Sequence, residues 1–468
     1  MEADERIHEY FAAHREEMID ALMALVRIPS ISKADEAAPG APYGEACAEV
    51  LRACAALYEK HGYAAENREK YVLATALHPD ASRSILLAAH ADVVAPGDGW
   101  TKCEPFEPAL IDGILYGRGV RDDKAGIIAS LYAAKCVEAL ALPFSSKVQL
   151  LAGASEETGM DDIFTYRSEN ALTDLGLVPD SGFPAKRAES ARLFFDCIPP
   201  APMTVLVGAA LGEQRVNRII RDAKLFCVDS DALYAALTAD PAAGVTISRG
   251  DGQITVHAVT SPCPTGEPDT ANDALLLALR QLAAAEHADR ERCAELARII
   301  ETGLSLPDAE GFLEKPVVHA SRLNFVDGRA ELRMYARYWP LQPVDVVESM
   351  LADALEALGY TYRRYSLNDG FYLAEDDVLV TAMLEEYERF TGKAAKSTTG
   401  HGGTYSRALR KSVSVGTSVG GPAPELPNGH GGMHQPDECI SVDGFVAACE
   451  LITRMLIREN KILEENLC

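Results

Sequence analysis

Imidazoles and carboxylates recur in this sequence where apolar runs end, a pattern expected of residues gathered to hold metal ions. His90 and Asp92 follow the apolar run 85–89, and the pair Asp122-Asp123 stands directly before a helical pattern that begins at Lys124. Glu156 and Glu157 follow a second apolar run at 148–151, Asp180 sits in the turn V-P-D-S-G, and His434 lies in the glycine-rich loop G-M-H-Q-P-D-E. Each is ambiguous alone. An H-x-D at a strand end is often structural, and an acidic pair before a helix often serves only as a cap. Together they supply imidazole nitrogen and carboxylate oxygen, a mixture that suits zinc or a comparable divalent ion better than calcium or magnesium. Two histidines and three acids are enough for two ions if one carboxylate bridges them and water completes the shells. Such a pair would activate water for hydrolysis, with a further carboxylate as the base.

These residues need a scaffold that brings strand ends and helix starts together. The run 84–89 reads as a buried strand, 109–116 as a hairpin turning at Asp112-Gly113, 124–139 as a helix and 147–151 as another strand. With helices over 4–27 and 43–61 and a strand at 71–77, the alternation predicts an α/β layer with parallel strands, its ligands at the strand ends. After about residue 184 the texture changes. Strands at 203–209, 224–228, 253–260 and 330–338 alternate with helices at 229–239, 270–287, 291–302 and 344–358, and candidate ligands are few. From residue 376 the first texture returns, with a helix at 378–387, a strand at 412–416 and a closing helix at 442–462. No G-x-G-x-x-G or P-loop pattern occurs, so nucleotide binding finds no support.

At 468 residues the chain calls for two domains or more. Its 44 basic and 70 acidic residues leave a net charge of −26, which argues against nucleic acid as a partner because a polyanion would be repelled. The eleven cysteines form no C-x-x-C pair and no regular framework, which reads as reduced thiols in a reducing compartment. The first residues are charged and amphipathic rather than a signal peptide, and no apolar stretch approaches a membrane span. A cytoplasmic protein with a small-molecule substrate and no membrane partner is expected.

The pieces AHADVV, GRGVRDDKAG, EETG, VPDSGFP, ARYWP, HGGTYSR and MHQPDE occur in this order over nearly the whole chain. In that set and order the sequence resembles the di-zinc peptidases related to aminoacylase and carboxypeptidase G, and among them the PepV-type dipeptidases. The resemblance implies an α/β fold: a catalytic domain, residues 1–186 and 373–468, with a mixed, mostly parallel sheet flanked by helices, and an α+β lid domain inserted at 187–372. It implies two Zn2+, with Mn2+ or Co2+ as alternatives. His90 and Asp180 would hold one ion, Glu157 and His434 the other, and Asp122 would bridge. Glu156 would be the general base, and Asp92 would orient His90. His430 competes with His434, and the M-H-Q-x-x-E pattern favours His434. For the substrate's carboxylate the resemblance offers Arg337 and the loop Gly402, Gly403 and Thr404. Asn217 matches a lid asparagine that contacts substrate, although Ile-Ile stands here where the family has Val-Pro. A lid this long implies a monomer.

The sequence departs from the family at I-T-V-H-A-V-T-S-P-C-P-T-G-E-P-D-T-A-N-D-A, residues 254–274. The family carries there a lid histidine that stabilises the tetrahedral oxyanion. His257 fits the start of that pattern, and Gly266 and Asn272 its end, but the stretch between is longer and rich in proline. The expected activity is hydrolysis of dipeptides. A deacylase acting on N-acyl amino acids is the alternative within the same chemistry, and a weakly active metal-dependent binding protein is the alternative outside it.

Overall fold

The computed structural model describes residues 2–212, 219–260, 273–305, 316–341 and 343–466. The chain forms two compact units, Met1–Glu189 with Phe371–Cys468, and Ser190–Gly370. Asn217 and the proline-rich stretch 261–272 lie outside the described residues.

In the first unit a nine-stranded mixed sheet is built from β1 (Ala65–Asn67), β2 (Tyr71–Leu77), β3 (Ser84–His90), β4 (Lys147–Gly153), β5 (Leu175–Ser181), β6 (Lys186–Glu189), β7 (Phe371–Tyr372), β8 (Thr398–Gly400) and β9 (Ser412–Gly416). Their order is β1-β2-β4-β3-β5-β9-β6-β7, with β8 pairing on β6. At its centre β3 runs parallel to β4 and β5, and β9 parallel to β5.

The run I-L-L-A-A within β3 is apolar throughout because both faces of the strand are covered. Ile85, Leu87 and Ala89 pack into one core with Ile127, Ile128 and Leu131 of the helix Lys124–Ala139 and with Ile452, Met455 and Leu456 of the closing helix Val442–Glu464. Leu86 and Ala88 point the other way, against Leu151, Val178, Tyr166 and Tyr405.

Two local features bring the site loops together. The hairpin Ala109–Ile111 and Ile114–Tyr116 turns at Asp112 and Gly113, whose φ values of 51° and 77° are those of a two-residue hairpin turn. A third short strand, Cys439–Ser441, pairs with Ile114–Tyr116 and so anchors the loop after His434 beside the loop before Asp122.

The second unit has two four-stranded antiparallel sheets. One is ordered Leu206–Leu211, Asp222–Val228, Gln253–Val259, Val245–Gly250, and the other Val317–Val326, Arg329–Tyr338, Ala191–Ile198, Thr361–Asn368. Leu225, Ile254 and Val256 share a core with Leu275, Leu279, Leu296 and Ile300 of the helices Ala274–Ala284 and Arg290–Thr302.

Two expectations change in the structure. The helix expected over 4–27 is two helices, Glu2–Ala13 and Arg15–Val26. His14 separates them; its ring stacks on Tyr10 and its Nδ1 lies 2.7 Å from the Tyr10 carbonyl, which the backbone also uses. In the second unit, Ala191–Ile198, Val245–Gly250, Val317–Val326 and Thr361–Asn368 are strands that the sequence pattern had not indicated.

Candidate metal centre

Three neighbouring parallel strands deliver the first ligands at their C-terminal ends. The β3–β4 register sets His90 opposite Gly153, so the chain leaving β4 carries Glu156 and Glu157 past the imidazole. The β3–β5 register pairs Leu87 with Leu177, and three residues further on His90 and Asp180 are at the same level, 3.9 Å apart. Gly153 must be glycine, because a Cβ there would collide with the Tyr405 hydroxyl and the Asp162 carboxylate.

Two groups of ligand atoms result, and they share one residue. His90, Asp122 and Asp180 form the first, and Asp122, Glu157 and His434 the second, each with its ligand atoms within 4.8 Å of one another. His90 Nε2 lies 3.0 Å from Asp122 Oδ1, and His434 Nε2 lies 3.0 Å from Asp122 Oδ2 and 2.9 Å from Glu157 Oε1. The two oxygens of Asp122 thus face different imidazoles. His90 Nδ1 is 2.9 Å from the Asp92 carbonyl, an atom that only accepts, so Nδ1 carries the proton and Nε2 offers the lone pair. The Asp122–Asp123 peptide is cis.

The electrostatics is that of a site short of positive charge. Burial alone would lower the pKa of His90, but Asp122 and Asp92 outweigh it and hold the imidazole well above its usual range. Asp122 and Glu157 raise His434 to about 10. Burial pushes Asp122 up, yet the two imidazoles prevail and hold it low. Burial first, and repulsion from Asp180 second, drive Asp123 and Glu156 well above the carboxylate range. Asp123 Oδ1 and Glu156 Oε1 are buried with no hydrogen-bond partner among the described residues. Carboxylates that draw protons onto two imidazoles, with further oxygens unpartnered, fit divalent cations by donor type and by charge.

Other residues hold these ligands in place. Glu438 is fully buried and was not singled out in the sequence. Its Oε1 accepts the N–H groups of Gly119, Arg121 and Asp122 at 3.1–3.2 Å, and its Oε2 pairs with Arg118, so it clamps the loop that presents Asp122. Lys124 is buried and donates to the carbonyls of Leu25 and Ile28 at 3.0 and 2.8 Å, tying the helix that follows Asp123 to the N-terminal segment. Glu438 is the acid of the M-H-Q-x-x-E pattern and Lys124 lies in G-R-G-V-R-D-D-K-A-G, two residues after a ligand, which are the signals the sequence offered for them. His434 has a left-handed backbone, φ 63°, a strained state for a non-glycine residue.

The remaining expected residues are distributed as follows. His430 is held away from the ligands by a 2.8 Å contact with Asp437. Gly403 is partly exposed, whereas Thr404 is buried: its N–H donates to Glu189 and its hydroxyl lies 2.8 Å from that of Ser414. Those groups of Thr404 support the loop from inside. Arg337 lies in Arg329–Tyr338, opposite Arg192 and Val317. His257 lies on the face of Gln253–Val259 away from the core, with Nε2 3.0 Å from Asp222 Oδ1.

Residues 86–458 match the profile of Peptidase family M20/M25/M40. The chain belongs to this family. It is a metallopeptidase, a hydrolase of peptide bonds. It is 26% identical over 466 residues to YtjP of Bacillus subtilis (strain 168), covering 94% of this chain and 97% of that one. Among solved structures, the M20 family metallo-carboxypeptidase Sso-CP2 of Sulfolobus solfataricus aligns at a TM-score of 0.56 and 18% identity, over 95% of this chain and 99% of that one. Human carnosine dipeptidase 1 aligns at a TM-score of 0.55 and 14% identity, over 98% and 99%. These structures share the fold. Among the described residues, no helix is long and apolar enough to cross a membrane.

Proposed function

We propose that this enzyme is a dipeptidase that holds two Zn2+, one at His90 and Asp180 and one at Glu157 and His434, with Asp122 between them. The observation that carries this reading is the sharing of Asp122 by two ligand groups beside the buried, unpartnered oxygen of Glu156. The provisional dipeptidase designation of YtjP, similar along nearly its whole length, supports the substrate class.

Bound divalent cations supply acidity to water and positive charge to a scissile carbonyl. Glu156, whose buried Oε1 is bonded to no described residue, then takes a proton from the attacking water and passes it to the departing amine. Asp92 holds the Glu156 backbone and the His90 ring. Arg337 pairs with the substrate carboxylate, as a guanidinium fork can, and Gly403 and Asn217 are further substrate contacts. His257 donates to the oxyanion as charge develops on the carbonyl oxygen. The enzyme works as a monomer in the cytoplasm; the nine described cysteines are all free thiols, in keeping with a reducing compartment.

The test is an assay of the zinc-loaded protein on a dipeptide library beside acetyl- and succinyl-amino acids. Cleavage of dipeptides with about two zinc per chain is expected. Cleavage of the acyl-amino acids alone would make it a deacylase, and ligand-induced thermal stabilisation without product would make it a binding protein.

A further inference from the structure

The first unit holds a cavity of about 430 Å³ whose lining includes the residue directly before the ligand Asp122 and the glycines two and three residues before the ligand His434. Its wall includes Arg121, the residue before Asp122, the turn Gly420-Gly421-Pro422, and His430 and Ile440, which flank His434 in sequence. No described carboxylate lines it.

Arg121 is a cation that the fold leaves uncommitted. Its backbone is tied on both sides, the N–H donating to Glu438 at 3.1 Å and the carbonyl accepting from Thr417 Oγ1 at 3.3 Å. Its guanidinium has no hydrogen bond or ion pair with any described residue. Arg118, three residues earlier, is spoken for by Glu438 and the Pro96 carbonyl. In a chain with 70 acidic residues against 44 basic ones, a guanidinium facing a cavity without a carboxylate is an exception.

Gly420 and Gly421 line the same cavity. The N–H groups of Gly420 and Gly421 have no acceptor among the described residues, and both glycines have positive φ, 66° and 83°. The carboxylates of Asp437 and Glu438 are engaged elsewhere, Asp437 by His430, Thr101 and Lys102, and Glu438 by Arg118 and the N–H groups of Gly119, Arg121 and Asp122. A cationic substrate arm would be repelled in this cavity, and an apolar one would desolvate the guanidinium without replacing its water. A carboxylate would satisfy it, in the bidentate geometry guanidinium favours.

We propose that Arg121 is a specificity-determining residue that reads a carboxylate on a short side arm of the substrate. The arm is the side chain of an aspartyl or glutamyl residue in a dipeptide, or a dicarboxylic acyl group on an amino acid. The inference rests on the peptidase reading of the metal centre whose ligand Asp122 directly follows Arg121.

Zinc-loaded wild type, Arg121→Gln and Arg121→Lys are compared on pairs that differ only in that arm: Glu-Ala with Gln-Ala, Ala-Glu with Ala-Gln, and succinyl-alanine with butyryl-alanine. In one pair the wild type should favour the acid by about ten- to a hundredfold in kcat/KM, mainly through KM. Arg121→Gln should bring that ratio close to one, and Arg121→Lys should restore part of it. The responding pair identifies the source of the arm. Zinc content and thermal unfolding check that each variant is folded. A wild type without acid preference in every pair overturns the proposal, as does a preference that survives in Arg121→Gln. If no pair is cleaved, the dipeptidase reading fails separately, and binding decides the role of Arg121. Stabilisation by L-glutamate beyond that by L-glutamine, lost in Arg121→Gln, then supports the proposal; equal stabilisation by the two amino acids in the wild type overturns it.

Discussion

The carboxylate of Asp92 accepts the backbone N–H of Glu156 on one oxygen and that of Glu157 on the other, each at 3.1 Å. Its own carbonyl takes His90 Nδ1–H at 2.9 Å, while its nearer carboxylate oxygen is 3.4 Å from that nitrogen. The link to His90 therefore runs chiefly through the main chain, and the side chain serves the Glu156 loop. Asp92→Ala should weaken metal binding by about ten- to a hundredfold, as loss of a supporting partner typically does. The loss should fall mainly on the ion held by Glu157. Competition with a chromophoric chelator measures it; unchanged affinity for both ions would remove Asp92 from this supporting role.

Asp122 faces both imidazoles, one with each oxygen. Asp122→Ala should lose both ions, whereas Asp180→Ala should mainly lose one. Elemental analysis after dialysis reads the difference. A single ion in the wild type, retained in Asp122→Ala, would contradict the shared-ligand arrangement.

Glu156 and Glu157 are neighbours in sequence with different surroundings. Glu157 lies 2.9 Å from His434, while Glu156 keeps a buried oxygen bonded to no described residue. Glu156→Ala should keep its metal and lose activity by about a hundred- to ten-thousandfold, the range of a lost general base. Glu157→Ala should lose metal. Equal metal content in the two variants would show that these roles are wrongly divided.

Much of this site is legible in the sequence because its ligands end apolar runs. Strands Tyr71–Leu77 and Ser412–Gly416 and the helix Lys124–Ala139 have the limits their patterns indicate, since each is buried on more than one side and its ends carry turn or polar residues. What was not legible depends on partners far away in sequence. Glu438 bonds to N–H groups more than 300 residues earlier, and Thr404 turns inward because Glu189 and Ser414 meet it there. Val245–Gly250 has no buried residue along it, so pairing to Gln253–Val259, not hydrophobic alternation, makes it a strand. The break at His14 leaves the apolar stripe of the N-terminal helices in phase, and periodicity alone passes over it.

Glu459 lies in the closing helix, fully buried, with neither carboxylate oxygen bonded to any described residue. Burial pushes its pKa from 4.5 up to about 8. Between those values the unfolded chain has lost the proton that the folded chain keeps. Unfolding then releases a proton, so this residue lowers stability progressively as pH rises through the window. Glu459→Gln should unfold at the same temperature as the wild type, or lower, near pH 4.5, and on the order of 3–6 °C higher at pH 8. Calorimetry at the two pH values checks it, and a variant no more stable than wild type at pH 8 would rule out an ionisation penalty at Glu459.

The last prediction concerns His257. In Gln253–Val259 the residues Ile254, Val256 and Ala258 are buried, so strand alternation puts His257 on the opposite face with Thr255. Its side chain keeps 31% of its surface exposed, and Asp222 holds Nε2 at 3.0 Å. An imidazole that is oriented by a carboxylate yet still accessible can act as a donor. If it serves the oxyanion, His257→Ala should keep both metals and the fold and lose turnover by about a hundred- to a thousandfold. KM should change far less, because the donor meets charge that develops only in the transition state. Asp222→Asn, which leaves the imidazole but weakens its partner, should give a smaller loss in kcat than His257→Ala. A His257→Ala enzyme with near-normal kcat would confine this histidine to its contact with Asp222, and the oxyanion donor would have to be sought elsewhere in the chain.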